Sequence, residues 1–342
     1  MVDKQPKPTM FTPITIRGVR FRNRICVAPM SQHMCEPENL DTGAHGGMVN
    51  NWHLVHYGTL ARGGAGLVMM EATGVEPGGR LSKHSPGLWR DDQLKPMCEI
   101  ITFIKDQGAV PGLQLVHAGR KANIELRNTD TFMGWTDCGV YPVIAPSPIA
   151  YNDRSVVPIE ATGADISRVT EAHVSAAKRA VEAEFQVIEL HFGHGYLVST
   201  FLSPITNKRT DEYGGSLVNR MRLALDIARG VRQALPDTIV LGVRLSVTDY
   251  CDMGWELENS IILARQLKQI GVDFIDCSSG DVVAQCTHNP LDPSPMQVDS
   301  AGIISRATGM ATVAVGDIVE PLEAENILKQ NGGPVMVFMG RA

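Results

Sequence analysis

Eight short runs in which almost every residue is apolar punctuate the 342-residue chain. They read RICVAPM (24–30), GLVMMEAT (66–73), VPGLQLVH (110–117), VIELHF (187–192), IVLGVRLS (239–246), FIDCSSG (274–280), TVAVGD (312–317) and VMVFMGR (335–341). Each has the length of a strand and none alternates apolar with polar, so both faces of each strand are expected to be buried. Between most of them lie stretches with helical spacing. The clearest, ISRVTEAHVSAAKRAVEAEF (166–185), sets Ile166, Val169, Val174 and Val181 on one stripe, with Asp165 and Ser167 as N-cap candidates. LVNRMRLALDIARGVRQAL (217–235), ENSIILARQLKQIG (258–271) and EPLEAENILKQNG (320–332) follow the same spacing, and the last two close on glycine.

Strands alternating with helices specify βαβ units and a parallel sheet. Eight strands over this length fit one (β/α)8 TIM barrel spanning 1–342 as a single domain, with an open doubly wound sheet as the competing arrangement. Residues 121–163, rich in Pro, Asn, Asp and Gly, exceed an ordinary loop. They predict an excursion over the barrel mouth, with a hairpin around Tyr141 to Ala145. The eighth run reaches Arg341 and the sequence stops at Ala342, so the helix expected after strand eight is lacking. Either the chain is a fragment or the barrel closes in another way.

Composition narrows the function. With 44% apolar and 20% charged residues the chain can bury a large core, and 31 basic against 37 acidic residues leave a net charge of −6. That balance offers no cationic surface to nucleic acid or anionic lipid. Seven cysteines, irregularly spaced and without a C-x-x-C pair, fit a reduced intracellular protein better than a disulfide scaffold or a zinc site. No run of about 18 apolar residues occurs, and MVDKQPKPTMFTP lacks the apolar core of a secretory signal, so the expectation is a soluble, cytoplasmic protein.

In such a barrel the chemistry lies at the C-terminal ends of the strands. The third run ends in Gln114 and His117, the fourth leads into His191, His194 and Tyr196, the fifth carries Arg244 and Ser246, and the sixth Ser278 and Ser279. Alternation along a strand points Glu189 and His191 the same way, and likewise Arg244 and Ser246. A lone histidine is more often a satisfied structural residue. Two histidines and a tyrosine within six residues, directly after a buried strand, instead gather three donors around one point.

H-x-x-H could hold zinc only with a third ligand, and the in-strand carboxylates Glu189, Glu71 and Asp276 read better as buried hydrogen-bonding partners, so no metal is expected. No run supplies a lysine for a Schiff base, and strand-end carboxylate pairs suited to a retaining glycosidase are lacking. The donors that remain, His191, His194, Gln114 and Arg244, suit a ligand rich in acceptors and able to carry negative charge. A flavin fits, since a cation near N1 stabilises its reduced anion. Gly316, and Gly340 with Arg341, follow strands seven and eight, where barrels bind phosphate, although turns call for glycine in any case.

APM on the first run, EAT on the second, LQLVHAGRKA on the third, HFGHGYL and FLSPITNKRTDEYGGS after the fourth, VRLSVTDY on the fifth and IDCSSG on the sixth together resemble the old yellow enzymes, in their bacterial-type branch. The resemblance covers about residues 11–341, and NKRTDEYGGS is its most specific stretch. It implies an FMN-dependent ene-reductase on a (β/α)8 barrel, in which NAD(P)H reduces the flavin and hydride passes to the β carbon of an α,β-unsaturated carbonyl compound. By position, Pro29, Met30 and Ser31 would lie along the flavin, Ala72 and Gln114 would contact its ring, and Arg244 would sit by N1 and the C2 carbonyl. Gly316, Gly340 and Arg341 would hold the phosphate. His191 and His194 would grip the substrate carbonyl and Tyr196 would donate the proton, with both imidazoles neutral.

Three departures from the branch stand out. Ser31 replaces its usual cysteine near the flavin C4 carbonyl, which implies a different flavin potential. His33 replaces a tyrosine that shapes the substrate pocket. The helix after strand eight is lacking, as is the C-terminal arginine that some members send into a neighbouring subunit, so weaker FMN binding and poorer barrel closure are expected. A homo-oligomer is allowed but not required. The alternatives are a dienoyl-CoA reductase or amine dehydrogenase, disfavoured without the clustered cysteines of an iron–sulfur segment, and a truncated barrel acting as a non-catalytic binding remnant.

Overall fold

The computed structural model describes residues 7–37, 46–122, 124–125, 133–134, 141–286 and 296–340, with the backbone alone described at 124–125, 133–134 and 296. All eight apolar runs become strands: β1 (Ile25–Val27), β2 (Leu67–Gly74), β3 (Val110–Val116), β4 (Val187–Phe192), β5 (Val240–Ser246), β6 (Phe274–Ser278), β7 (Ala311–Ala314) and β8 (Met336–Met339). Every residue of β2 through β6 is buried, as continuous apolar runs require when both sheet faces are covered. The strands form a closed parallel ring, with β8 paired to β1 through Val337–Ile25, Phe338–Cys26 and Met339–Val27. These three register pairs close the ring. The last helix also ties back to the N-terminal segment, where Glu325 accepts the backbone N–H groups of Thr9 and Met10 at 2.8 and 2.9 Å.

A helix follows each of the first seven strands: α1 (Asn51–Arg62), α2 (Leu94–Asp106), α3 (Gly163–Glu182), α4 (Leu217–Ala234), α5 (Leu257–Ile270), α6 (Met296–Thr308) and α7 (Pro321–Leu328). α3 starts a turn earlier than expected. Its N-cap is Thr162 rather than Asp165 or Ser167, because the Thr162 hydroxyl accepts from Asp165 N–H while the Asp165 carboxylate accepts from Thr162 N–H. Its buried face runs through Ile166, Val169, His173, Ala176, Ala177 and Ala180. Small side chains let it approach the sheet, and the bulkier Val174 and Val181 are only partly covered. α5 closes on Gly271 as expected. α7 stops at Leu328, short of Gly332, where the chain turns with Gly333 N–H bonded to Gln330.

Within the excursion, Ile144–Ala145 pairs in parallel with Ile159–Glu160, which corrects the expected hairpin around Tyr141 to Ala145. Arg209 Nη1 donates to the carbonyls of both Pro146 and Ala161, holding the two segments side by side. A second small ladder, Ile124–Glu125 with Met133–Gly134, is antiparallel. Cys251, after β5, and Cys286, after β6, lie against each other with Cα atoms 5.4 Å apart, a contact that their separation of 35 residues does not signal. Cys138 lies outside the described residues.

The barrel interior is filled from below by Val19 and Phe21 of an N-terminal hairpin and by Leu67, Met69, Val187, Val240, Phe274, Met336 and Phe338. Phe274 fits because its neighbour across the ladder is Gly242, where an added Cβ would lie 2.1 Å from the phenyl ring. In a close-packed interior such overlap is relieved only by moving backbone or ring. Gly242→Ala should cost about 1–3 kcal/mol of stability. Urea denaturation checks this, and an unchanged midpoint would contradict the packing described.

Candidate active site

Above this apolar plug the inward residues turn polar. Gln114 on β3, Glu189 on β4, Arg244 on β5 and Asp276 on β6 are all buried, and Gln114 Nε2 donates to Glu189 Oε1 at 2.8 Å. Arg244 Nε stands 3.3 Å from Asp276 Oδ2. Burial pushes the Glu189 carboxyl upward and the Asp276 charge pushes it further, while Arg244 pulls it back. Burial also raises Asp276, but Arg244 opposes that directly. Burial thus raises both carboxyls, and the Arg244 guanidinium opposes that rise in each.

One layer higher, β4 ends and the chain turns through Gly193, His194 and Gly195. His194 and Gly195 both have left-handed backbone, with φ of +57° and +67°. A Cβ on Gly195 would lie 2.2 Å from the Asp281 carbonyl, so the HGY spacing requires glycine there. The turn is pinned by Ser246 at the end of β5, whose hydroxyl accepts from His194 N–H at 2.8 Å and donates to the Gly280 carbonyl at 3.0 Å.

The two imidazoles meet edge to face with ring centroids 4.9 Å apart, and the Tyr196 ring lies 4.9 Å from that of His191. Gly193 N–H donates to His191 Nδ1 at 3.2 Å, so a neutral His191 carries its proton on Nε2. His191 Nε2 lies 3.2 Å from His194 Nδ1, and His194 Nε2 lies 2.6 Å from the Ser278 hydroxyl. Burial lowers both rings well below the ordinary histidine value, and the positive charges of Arg244 and Lys121 lower them further. Both rings are thus favoured in their neutral form, each nitrogen pair offering one donor and one acceptor. Burial also raises the Tyr196 phenol, which keeps its proton.

The other expected residues surround this cluster. Ala72 sits where the β2–β3 register shifts, and packs in the small apolar group with Leu81, Val116 and Ala118 against which Tyr196 rests. Pro29, Met30 and Ser31 follow β1, all half-buried. The loop carrying them is held by Glu71, which accepts Gln32 N–H at 2.8 Å and the Tyr57 hydroxyl at 3.0 Å. Burial raises the Glu71 carboxyl to about 7, partly offset by those donors. His33, also left-handed, turns its Nδ1 onto the Ser82 hydroxyl at 2.8 Å. Gly340 at the end of β8 abuts Met30, whose sulfur would be 3.1 Å from a Cβ there, and Gly316 after β7 has a φ of +118°. Arg341 lies outside the described residues. His117 stands apart, bonded to Glu76 at 2.9 Å.

Lys121, Asp281 and Tyr151 were not singled out from the sequence. Lys121 is buried, donates to the His194 carbonyl at 2.9 Å and to Asp281 Oδ2 at 2.7 Å, and lies 5.1 Å from the Tyr196 ring centre. Tyr151, from the excursion, donates to the other oxygen of Asp281. The one available signal was a lysine inside LQLVHAGRKA, four residues beyond His117.

These residues fit a flavin. Arg244 Nε is buried without a hydrogen-bond partner, Gln114 keeps an amide oxygen besides the nitrogen given to Glu189, and the strand ends β7 and β8 carry glycines where a side chain would intrude. A closed (β/α)8 barrel with this donor set at its C-terminal mouth defines a flavin-dependent oxidoreductase. The chain belongs to the NADH:flavin oxidoreductase / NADH oxidase family, whose model matches residues 9–342. It is 38% identical over 333 residues to the NADPH dehydrogenase of Geobacillus thermodenitrificans, covering 97% of this chain and 89% of that one. The NADPH dehydrogenase of Bacillus subtilis is also 38% identical, over 97% of this chain and 90% of its own length. Among solved structures, the old yellow enzyme homologue of Zymomonas mobilis matches 98% of this chain and 89% of its own with a TM-score of 0.78 at 23% identity, which speaks to fold alone. The protein is an FMN-dependent NAD(P)H oxidoreductase of the old yellow enzyme family. Among the described residues, no helix is long and apolar enough to cross a membrane.

The low histidine basicity has a direct consequence. Because the folded rings resist protonation, the unfolded chain binds more protons as pH falls below about 6.5, and stability declines there. The ring NMR shifts of His191 and His194 should stay flat from pH 8 to about pH 5.5; a titration midpoint near 6.5 in either would contradict the dry environment described.

Proposed function

We propose that the enzyme reduces the C=C bond of α,β-unsaturated carbonyl compounds at the expense of NAD(P)H. The observation that carries this reading is the pair of neutral imidazoles beside a tyrosine at the barrel mouth. FMN, when bound, would supply the two-electron hydride chemistry that links NAD(P)H to the substrate β carbon. Pro29, Met30, Ser31, Ala72 and Gln114 would hold its ring, Arg244 its N1 edge, and Gly316, Gly340 and Arg341 its phosphate. In place of a thiol, Ser31 offers a stronger donor toward the ring, and His33 limits the substrate pocket.

His191 and His194 bind the carbonyl oxygen and stabilise the charge that builds there, each donor being worth about 3–4 kcal/mol in sites of this kind. Neutral rings suit this task, since they donate without becoming acids that would protonate the oxygen. Tyr196 holds its proton firmly at neutral pH and gives it to the α carbon, completing the addition of one hydride and one proton across the double bond.

The roles separate in the two half-reactions. In Tyr196→Phe, reduction of the flavin by NADPH should proceed at near the wild-type rate, while reoxidation by cyclohexenone slows by about 10²–10⁴. Anaerobic stopped-flow absorbance measures both, and equal losses in the two halves would remove Tyr196 from the proton-donor role.

A further inference from the structure

The imidazole pair contains a conflict that one neighbouring hydroxyl can resolve. Two donors on one substrate oxygen require N–H groups on both His191 Nε2 and His194 Nδ1, the two atoms that face each other at 3.2 Å. His191 meets this requirement in every state, because Gly193 N–H occupies its Nδ1 and leaves the proton on Nε2. His194 does not. With nothing between the rings, its Nδ1 must accept from His191 Nε2–H, and its own proton then lies on Nε2, pointed at Ser278. When an acceptor oxygen arrives, that arrangement gives one donor and one lone pair, and the lone pair repels the oxygen.

Ser278 is buried at the end of β6, and among the described residues its Oγ bonds only His194 Nε2, at 2.6 Å. A hydroxyl accepts as well as donates, and rotation about one bond exchanges the two roles. Ser246, its partner in the β5–β6 register, cannot serve in this way. Its hydroxyl is already committed to His194 N–H and the Gly280 carbonyl.

We propose that Ser278 is a positioning residue that switches the His194 tautomer. It accepts from Nε2–H in the free site and donates to Nε2 when an oxyanion or carbonyl oxygen binds, so that His194 presents Nδ1–H beside His191 Nε2–H. One proton leaves Nε2 and one arrives at Nδ1 by exchange with solvent, and the net charge of the site does not change. A carboxylate here would lock the proton on Nε2, a primary amine would lock it on Nδ1, and only a hydroxyl is satisfied in both states.

The proposal rests on the imidazole pair being the oxygen site, and its test separates the two claims. Holoenzyme labelled with ¹⁵N-histidine is titrated with 4-hydroxybenzaldehyde, whose phenolate is a planar oxyanion. The expected result is that His194 carries its proton on Nε2 in the free enzyme and on Nδ1 in the complex, while His191 keeps Nε2–H in both. Ser278→Ala should weaken phenol binding at least tenfold and raise KM for cyclohexenone by more than it lowers kcat, and Ser278→Thr should restore both to within threefold. Phenol bound with the His194 proton still on Nε2, or Ser278→Ala binding within threefold of wild type, overturns the switch and leaves the oxygen site intact. Failure of the wild-type enzyme to bind the phenol overturns the oxygen site and the switch together. Should Ser278→Ala not fold, the wild-type spectra decide alone.

Discussion

A closed ring of parallel strands sends half of each strand's side chains into an interior that water does not reach, and every polar group placed there must find its partner within the protein. This constraint organises the molecule. The lower interior is filled by Phe274, Phe338 and their apolar neighbours, and Gly242 gives up its side chain so that Phe274 can fit. The next layer carries Glu189, Arg244 and Asp276, and their mutual compensation is what allows a guanidinium to stand beneath the mouth. A buried ion pair of this kind is weak evidence for stability, since hydrophobic residues would fill the space at less cost. Its retention makes sense as a cation held where a ligand needs one.

The same dryness tunes the mouth. His191 and His194 are neutral because burial and two nearby cations make a further positive charge costly. Their positions depend on elements far apart in sequence: the left-handed turn after β4, Ser246 from β5, Ser278 from β6 and Lys121 from the loop after β3. Lys121 in turn depends on Asp281, which Tyr151 of the excursion also holds. The long insertion between β3 and α3 thus contributes to the frame around Tyr196.

Much of the barrel could be read from the chain, because strands buried on both faces leave dense apolar runs whose limits coincide with the strands to within a few residues. Helix ends were less legible, since the Thr162–Asp165 capping box and the early end of α7 depend on local hydrogen bonds that apolar periodicity does not encode. α1, α2 and α6 were not delimited from their spacing at all. The site histidines, Tyr196, Gln114 and Arg244 were visible as polar residues at the ends of apolar runs. Asp281 and Tyr151 were not, because an ion pair between loops leaves no periodic trace. The contact between Cys251 and Cys286 was hidden for the same reason. The pairing of β8 with β1 joins strands remote in sequence and likewise leaves no local trace.

The account stands on two uncharged imidazoles acting as a joint hydrogen-bond donor at the mouth of the barrel. The most direct test is an absorbance titration of the oxidised holoenzyme with 4-hydroxybenzaldehyde, comparing wild type with the doubly substituted His191→Ala, His194→Ala protein. Stacking of the phenolate against the flavin should produce a long-wavelength band in the wild type, and the double variant should bind FMN yet show no band at accessible phenol concentrations. A band of equal strength and equal midpoint in both proteins would contradict the account.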